Sequence, residues 1–262
     1  MTYELLEPQS LEEACSLLAK HKEEAKLLAG GQSLVPLLKG RYILPDYVIN
    51  LKNLQELEYI REDGNCIRIG AMTVHRDLEK SPLIMDKLPV LAEAEKWLAQ
   101  VQIRNWGTVG GAISHADPSG DLAPSLIALG AKVIAASTRG ERTIPLDEFF
   151  VNIFTTVLEP DEILKEIEVP LPPPNSGIAY RKETVLAGDY PIVSVAAAIF
   201  LDEKREIIKD AQIVLGAAGM TPVIAKEAVK AIVGQKANSE LAEKAGELEA
   251  KRRTRRQTCW DL

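Results

Sequence analysis

The chain of 262 residues carries 38 acidic and 31 basic side chains, for a net charge of −7, and is 46% hydrophobic. That is an ordinary balance for a globular protein with room for two or three lobes, and it gives no electrostatic support for nucleic-acid binding. The longest uncharged apolar runs, 192–201 and 211–221, are strand-length and fall short of the ~20 residues a membrane span needs. The acidic opening "MTYELLEPQSLEEA" is unlike a basic export signal, so a cytoplasmic protein is expected. Cys15, Cys66 and Cys259 stand apart with no CxxC pair, which argues against zinc, a disulfide framework or an iron–sulfur cluster in this chain.

In chain order, Ser10 and Glu13 form a capping box, and Leu11, Ala14, Leu17 and Leu18 share one face, which predicts a helix over 11–21. A short strand, "AKLLAG", follows and stops at Gly30-Gly31, and "YVINL" (47–51) reads as a second. "CIRIGAM" (66–72) alternates as a strand does, and "PLIMDKLPVLAEAEKWLAQV" is helical with a break or kink at Pro89. "DLAPSLIALGA" predicts another helix and "KVIAAS" a strand. "PLPPPNSG" is the best candidate linker, because successive prolines continue neither a helix nor a central strand. Beyond it "GIAYRKE", "IVSVAAAIFLD" and "DAQIVLGAA" predict an antiparallel layer, with "TPVIAKEAVKAIVG" an amphipathic helix against it. The arginine-rich end, "KRRTRRQTCWDL", is either a nucleic-acid tail or, the preferred reading, a solvated terminus.

Familiar catalytic signatures are missing. No GxxxxGK[ST] and no GxGxxG occurs, and Val35 stands where a nucleophile elbow after Ser33 needs its second glycine. His115, Asp117 and Asp121 lie close together, but the chain has only three histidines and no second cluster to complete a metal site. Two glycine-rich stretches remain, "LLAGGQSL" (27–34) and "GTVGGAIS" (107–114). Glycine lets main-chain N–H groups crowd into one concavity, a nest that attracts phosphate without lysines, and Ser33, Thr108 and Ser114 could add hydroxyl donors. The plain alternative is a pair of tight turns.

"LLAGGQSLVPLLKGRYILPDYVINL" together with "QIRNWGTVGGAISHADPSGDLAPSLIALGA" closely resembles the FAD-binding medium subunit of molybdenum hydroxylases, the aerobic carbon monoxide dehydrogenase and xanthine dehydrogenase family. The likeness continues through "RTIPLDEFF", "DEILKEIEVPLP", "AYRKE" and "QIVLGAAGMTPVIAKEA", and so covers about residues 1–235. It implies an α+β chain: two α/β subdomains of the vanillyl-alcohol-oxidase-type FAD-binding fold, at 1–55 and 56–172, then a C-terminal α+β domain at 175–262. The sequence departs from the family pattern after about residue 240.

Carried onto this chain, the family's first pyrophosphate loop falls on Ala29, Gly30, Gly31, Gln32, Ser33 and Leu34. The second falls on Thr108, Val109, Gly110, Gly111 and Ala112, with Ser114 beyond it. Asp121 matches an aspartate that contacts the flavin nucleotide, Leu164 a position whose backbone meets the isoalloxazine ring, and Lys182 the lysine of the "AYxK" motif. Tyr190 is either an aromatic neighbour of the ring or an ordinary tyrosine, and His115 matches no catalytic position. The resemblance implies that no residue of this chain is catalytic. It implies FAD here, with the molybdopterin cofactor in a large subunit and [2Fe–2S] clusters in a small subunit. Electrons would pass singly from the clusters to FAD and onward to a quinone, NAD or oxygen. Two other readings stay open: a stand-alone flavoprotein oxidoreductase acting on a small molecule, and a non-catalytic nucleotide-binding module.

Overall fold

A computed structural model describes residues 3–253. The chain opens with strand β1 (Glu4–Leu6), helix α1 (Leu11–His21), strand β2 (Ala25–Leu28), helix α2 (Leu34–Lys39) and strand β3 (Tyr47–Asn50). The three strands form a parallel sheet with β3 in the middle. Helix α1 begins as its capping residues dictate: the Glu13 N–H donates to Ser10 Oγ at 3.1 Å, and the Glu13 carboxylate reaches back to the Gln9 N–H at 2.7 Å. Its buried face, Ala14, Cys15 and Leu18, packs on Ala25, Ile49 and Leu51 and on Ala136 and Ile163 of the next layer.

That layer starts with strands β4 (Ile60–Asp63) and β5 (Cys66–Gly70). Five short helices follow: α3 (His75–Lys80), α4 (Pro82–Lys87), α5 (Pro89–Trp97), α6 (Val101–Arg104) and α7 (Val109–His115), then α8 (Leu122–Ala128). The expected break at Pro89 is a complete one, since Leu88 (φ −137°, ψ 55°) leaves the helical region between two helices. Strands β6 (Lys132–Ser137) and β7 (Gly140–Pro145), the hairpin β8 (Phe150–Asn152) and β9 (Thr155–Thr156), and strand β10 (Ile163–Pro170) complete the layer. The sheet runs β4-β5-β10-β6-β7 with every neighbour antiparallel. A bulge at Lys165 interrupts the pairing of β10 with β6.

The prolines at 172–174 lie between β10 and β11 (Ser176–Glu183), which pairs with β12 (Val193–Leu201) and then β13 (Ile208–Gly216). Here the expected amphipathic helix is shorter than its pattern. Val223 and Ile224 form an edge strand, β14, on β13, and the helix α9 spans only Lys226–Ile232 before α10 (Ser239–Arg253). Every residue of α8 is buried, because β12 and β13 cover one side and α5 the other. An all-round apolar helix is what such a sandwiched position demands. The chain is thus α+β, as expected. The end of the arginine-rich tail, 254–262 with Cys259, lies outside the described residues.

Candidate cofactor-binding site

The first glycine stretch leaves the C-terminal end of β2. Gly31 has φ +73°, a left-handed conformation that glycine adopts without penalty, and Ser33 (φ −105°, ψ −50°) returns the chain to the right-handed region. Gln32 Nε2 donates back to the Gly30 carbonyl at 3.1 Å. Five successive main-chain N–H groups, from Gly30 to Leu34, have no acceptor among the described residues, and Ser33 Oγ caps nothing. Donors pointing out of a right-handed/left-handed turn are the elements of an anion nest.

The second stretch behaves differently from the first. Residues 109–115 form helix α7, and its first N–H groups are already spent inside the chain. Val109 donates to Thr73 O and Gly110 to Ala71 O, both at 2.9 Å, and Gly111 donates to Thr108 Oγ1 at 3.1 Å. Gly110 is required by packing: a Cβ there would lie 2.7 Å from the Ala71 Cα. A side chain at 110 would therefore push α7 off the end of β5 rather than fill a phosphate pocket.

The two stretches meet. A Cβ on Gly30 would lie 2.7 Å from the Gly107 Cα and closer still to the Trp106 carbonyl oxygen. Gln32 Cγ lies near Gly107, and the Ala29 methyl faces Gly111 across ordinary van der Waals distance. One loop supplies main-chain donors with no acceptor among the described residues; the other meets it with backbone at Trp106 and Gly107. Thr108 is buried as the N-cap of α7, while Ala112 and Ser114 are half-buried on it. A dinucleotide pyrophosphate fits this donor set, since it needs N–H groups and close backbone approach rather than lysines.

Asp121 and Lys182 are brought together, but with each other. Asp121 accepts from Lys182 Nζ and from the Tyr180 hydroxyl, each at 2.8 Å, and Lys182 also donates to the Trp97 carbonyl at 3.0 Å. Burial pushes the Asp121 carboxyl up, against the hydrogen bond and charge of Lys182. The trio joins the start of α8 to β11. Leu164 is buried in β10 beside the Lys165 bulge, and the Lys165 carbonyl accepts from Ala71 N–H at 2.9 Å. Since Ala71 in turn accepts from Gly110, main-chain bonds alone connect Leu164's strand to α7.

His115 stacks on Phe154 with ring centroids 4.8 Å apart, and burial holds its imidazole below the usual range. Asp117 caps its own turn by accepting from Ser119 N–H at 2.8 Å. Among the described residues no three His, Cys, Asp or Glu side chains converge as a metal site would require. The Tyr190 side chain reaches solvent, and partial desolvation of its phenol, then the charges of Asp117 and Asp121, push it up. Sequence reasoning missed Trp106 and Gly107 as the wall, and Ala71 and Thr73 as acceptors for α7.

Comparison with known proteins places the chain in a family. Residues 1–172 match the family model of the FAD binding domain in molybdopterin dehydrogenase, and residues 164–256 match the CO dehydrogenase flavoprotein C-terminal domain. The 6-hydroxypseudooxynicotine dehydrogenase complex subunit alpha of Paenarthrobacter nicotinovorans is 39% identical over 232 residues, covering 88% of this chain and 78% of the relative. The glyceraldehyde dehydrogenase medium chain of Sulfolobus acidocaldarius is 38% identical over 233 residues, 89% of this chain and 82% of the relative. Among solved structures, a carbon monoxide dehydrogenase from Hydrogenophaga pseudoflava superposes with a TM-score of 0.90 at 37% identity, over 94% of this chain and 85% of that one. No helix among the described residues is long and apolar enough to cross a membrane. The chain therefore belongs to the family of FAD-binding domains of molybdopterin dehydrogenases and is a FAD-binding, electron-transferring medium subunit of the molybdenum hydroxylase type.

Proposed function

We propose that residues 30–34 hold the pyrophosphate of FAD through their main-chain N–H groups, with Ala29 at the edge of the loop and 107–112 as the opposing wall. The hydroxyls of Ser33 and Ser114 add donors. The observation that carries this reading is the run of five main-chain N–H groups with no acceptor among the described residues, in a loop whose Gly30 packs directly on the Trp106–Gly107 backbone. FAD, when bound, supplies the redox chemistry, accepting electrons and passing them on. The protein binds the cofactor and orients it. Asp121, Lys182 and Tyr180 hold β11 against the start of α8, and the backbone of Leu164 closes the inner side.

In this reading the chain works beside a molybdenum-containing large subunit and a small subunit with [2Fe–2S] clusters. Electrons arrive from those clusters and leave to a quinone, NAD or oxygen, in the cytoplasm. The relatives named medium chain or complex subunit support such an assembly. The test is to purify the full chain, alone and with its neighbouring gene products, record the visible spectrum and quantify flavin after denaturation. One FAD per chain is expected. A colourless chain that takes up no added FAD overturns the reading.

A further inference from the structure

The wall on which Gly30 rests is the end of an exposed strap, residues 98–107, between α5 and α7. The strap makes an abrupt start, with Ala99 at φ +40°, and ends in a tight turn where Gly107 N–H reaches the Ile103 carbonyl at 2.7 Å. Trp106 in this strap is exposed and so gives it no anchor in the core. One buried side chain closes it. Arg104 Nη1 donates to the carbonyls of Leu98 (2.6 Å) and Ala99 (3.0 Å), and its Nε donates to Glu79 Oε2 at 3.0 Å. The Arg104 and Glu79 side chains are only 9% and 5% exposed. Glu79 belongs to α3, whose first residue also grips the strap: His75 N–H donates to the Gly107 carbonyl at 2.9 Å.

We propose that Arg104 is a positioning residue for the flavin site: its planar fork ties the start of the strap, at Leu98 and Ala99, to α3, and with the His75 N–H holding the other end at Gly107 it fixes the Trp106–Gly107 peptide against Gly30. The proposal rests on the FAD reading above. Three bonds at fixed angles need a guanidinium; a lysine ammonium can pair with Glu79 or cap the carbonyls but cannot reproduce the fork. Removing the arginine does not strand Glu79, which keeps Arg76 at 2.8 Å and Lys80 at 3.3 Å. It strands the Leu98 and Ala99 carbonyls, so the damage falls on the strap.

The experiment measures the rate of FAD release from the full chain, by the rise in free-flavin fluorescence, in wild type, R104M and R104K, together with the unfolding temperature of each. Faster release by about tenfold is expected for R104M, the lower end for removing a group that supports a binding residue, with R104K in between. I232V, a truncation in the separate core around α9, controls for general loss of stability and should leave release unchanged. Wild-type release from folded R104M overturns the proposal, as does equal acceleration in I232V. Should R104M fail to fold, R104K decides: unchanged release overturns the proposal and faster release supports it. A wild-type chain that binds no FAD instead defeats the underlying reading, and the proposal with it.

Discussion

Gly30 abuts the Trp106 carbonyl so tightly that no side chain fits between them. A methyl group at position 30 must separate the donor loop from its wall. We expect G30A to lose most of its FAD and to fall in stability by about 1–3 kcal/mol, the usual cost of overpacking. Gly177 offers the comparison, because a Cβ there meets nothing within 4 Å and its φ is not positive. G177A should keep its flavin and unfold within about 0.5 kcal/mol of wild type. Flavin content after gel filtration and denaturant titration check both.

The Asp121–Lys182 pair makes a prediction about stability. D121N leaves a lysine ammonium buried without its counter-charge, and breaking a buried pair from one side costs about 3–5 kcal/mol. The double variant D121N/K182M removes both charges and should be less destabilised than D121N alone. Urea unfolding of the four proteins of this cycle measures the coupling. Additive losses would mean that the two side chains do not depend on each other.

Acid should weaken the fold partly through Glu162. Arg142 grips its carboxylate with two bonds, at 2.6 and 2.7 Å, and the Glu159 N–H adds a third. The hydrogen bond from Arg142, against the opposing effect of burial, holds the Glu162 carboxyl below its ordinary value of 4.5. A folded-state pKa below the unfolded one stabilises the protein above the unfolded value, and that stability is lost as pH falls through the folded value. E162Q should therefore melt lower than wild type at neutral pH, with the gap narrowing below about pH 4. A gap of constant size across a melting series would exclude this role.

His115 invites a catalytic assignment by its neighbours Asp117 and Asp121, yet its ring is spent on Phe154. H115A should retain FAD at wild-type occupancy and lose about 1 kcal/mol, the scale of an aromatic pair. A folded H115A without flavin would place the imidazole in the cofactor site.

Sequence alone revealed what local rules decide. Helix α1 follows from Ser10, Glu13 and its apolar stripe, and the split of α4 from α5 follows from Pro89. The strands β11, β12 and β13 announce themselves by β-branched and alanine-rich runs between turn residues. Residues 107–114 were harder, because two adjacent glycines argue against a helix. The helix forms because Thr108 caps it and because Ala71 and Thr73 accept its first N–H groups, contacts that no short-range pattern encodes. The same holds for Asp121, whose partner Lys182 lies 61 residues away. Arg104 sat within the quoted motif, but only the fold shows that its fork bends back onto Leu98 and Ala99.

The junction of the two glycine stretches also sets a thermodynamic linkage. The donor loop grows from the small parallel sheet and the wall from the layer of the five-stranded antiparallel one, so on the proposed reading the nucleotide needs both layers. A ligand that requires both layers to be docked adds its binding free energy to that docking, about 2.7 kcal/mol when free FAD stands at a hundred times its dissociation constant. On that reading the flavin would act as a clamp between two folding units as well as their electron carrier, and its affinity would read out how well they are joined.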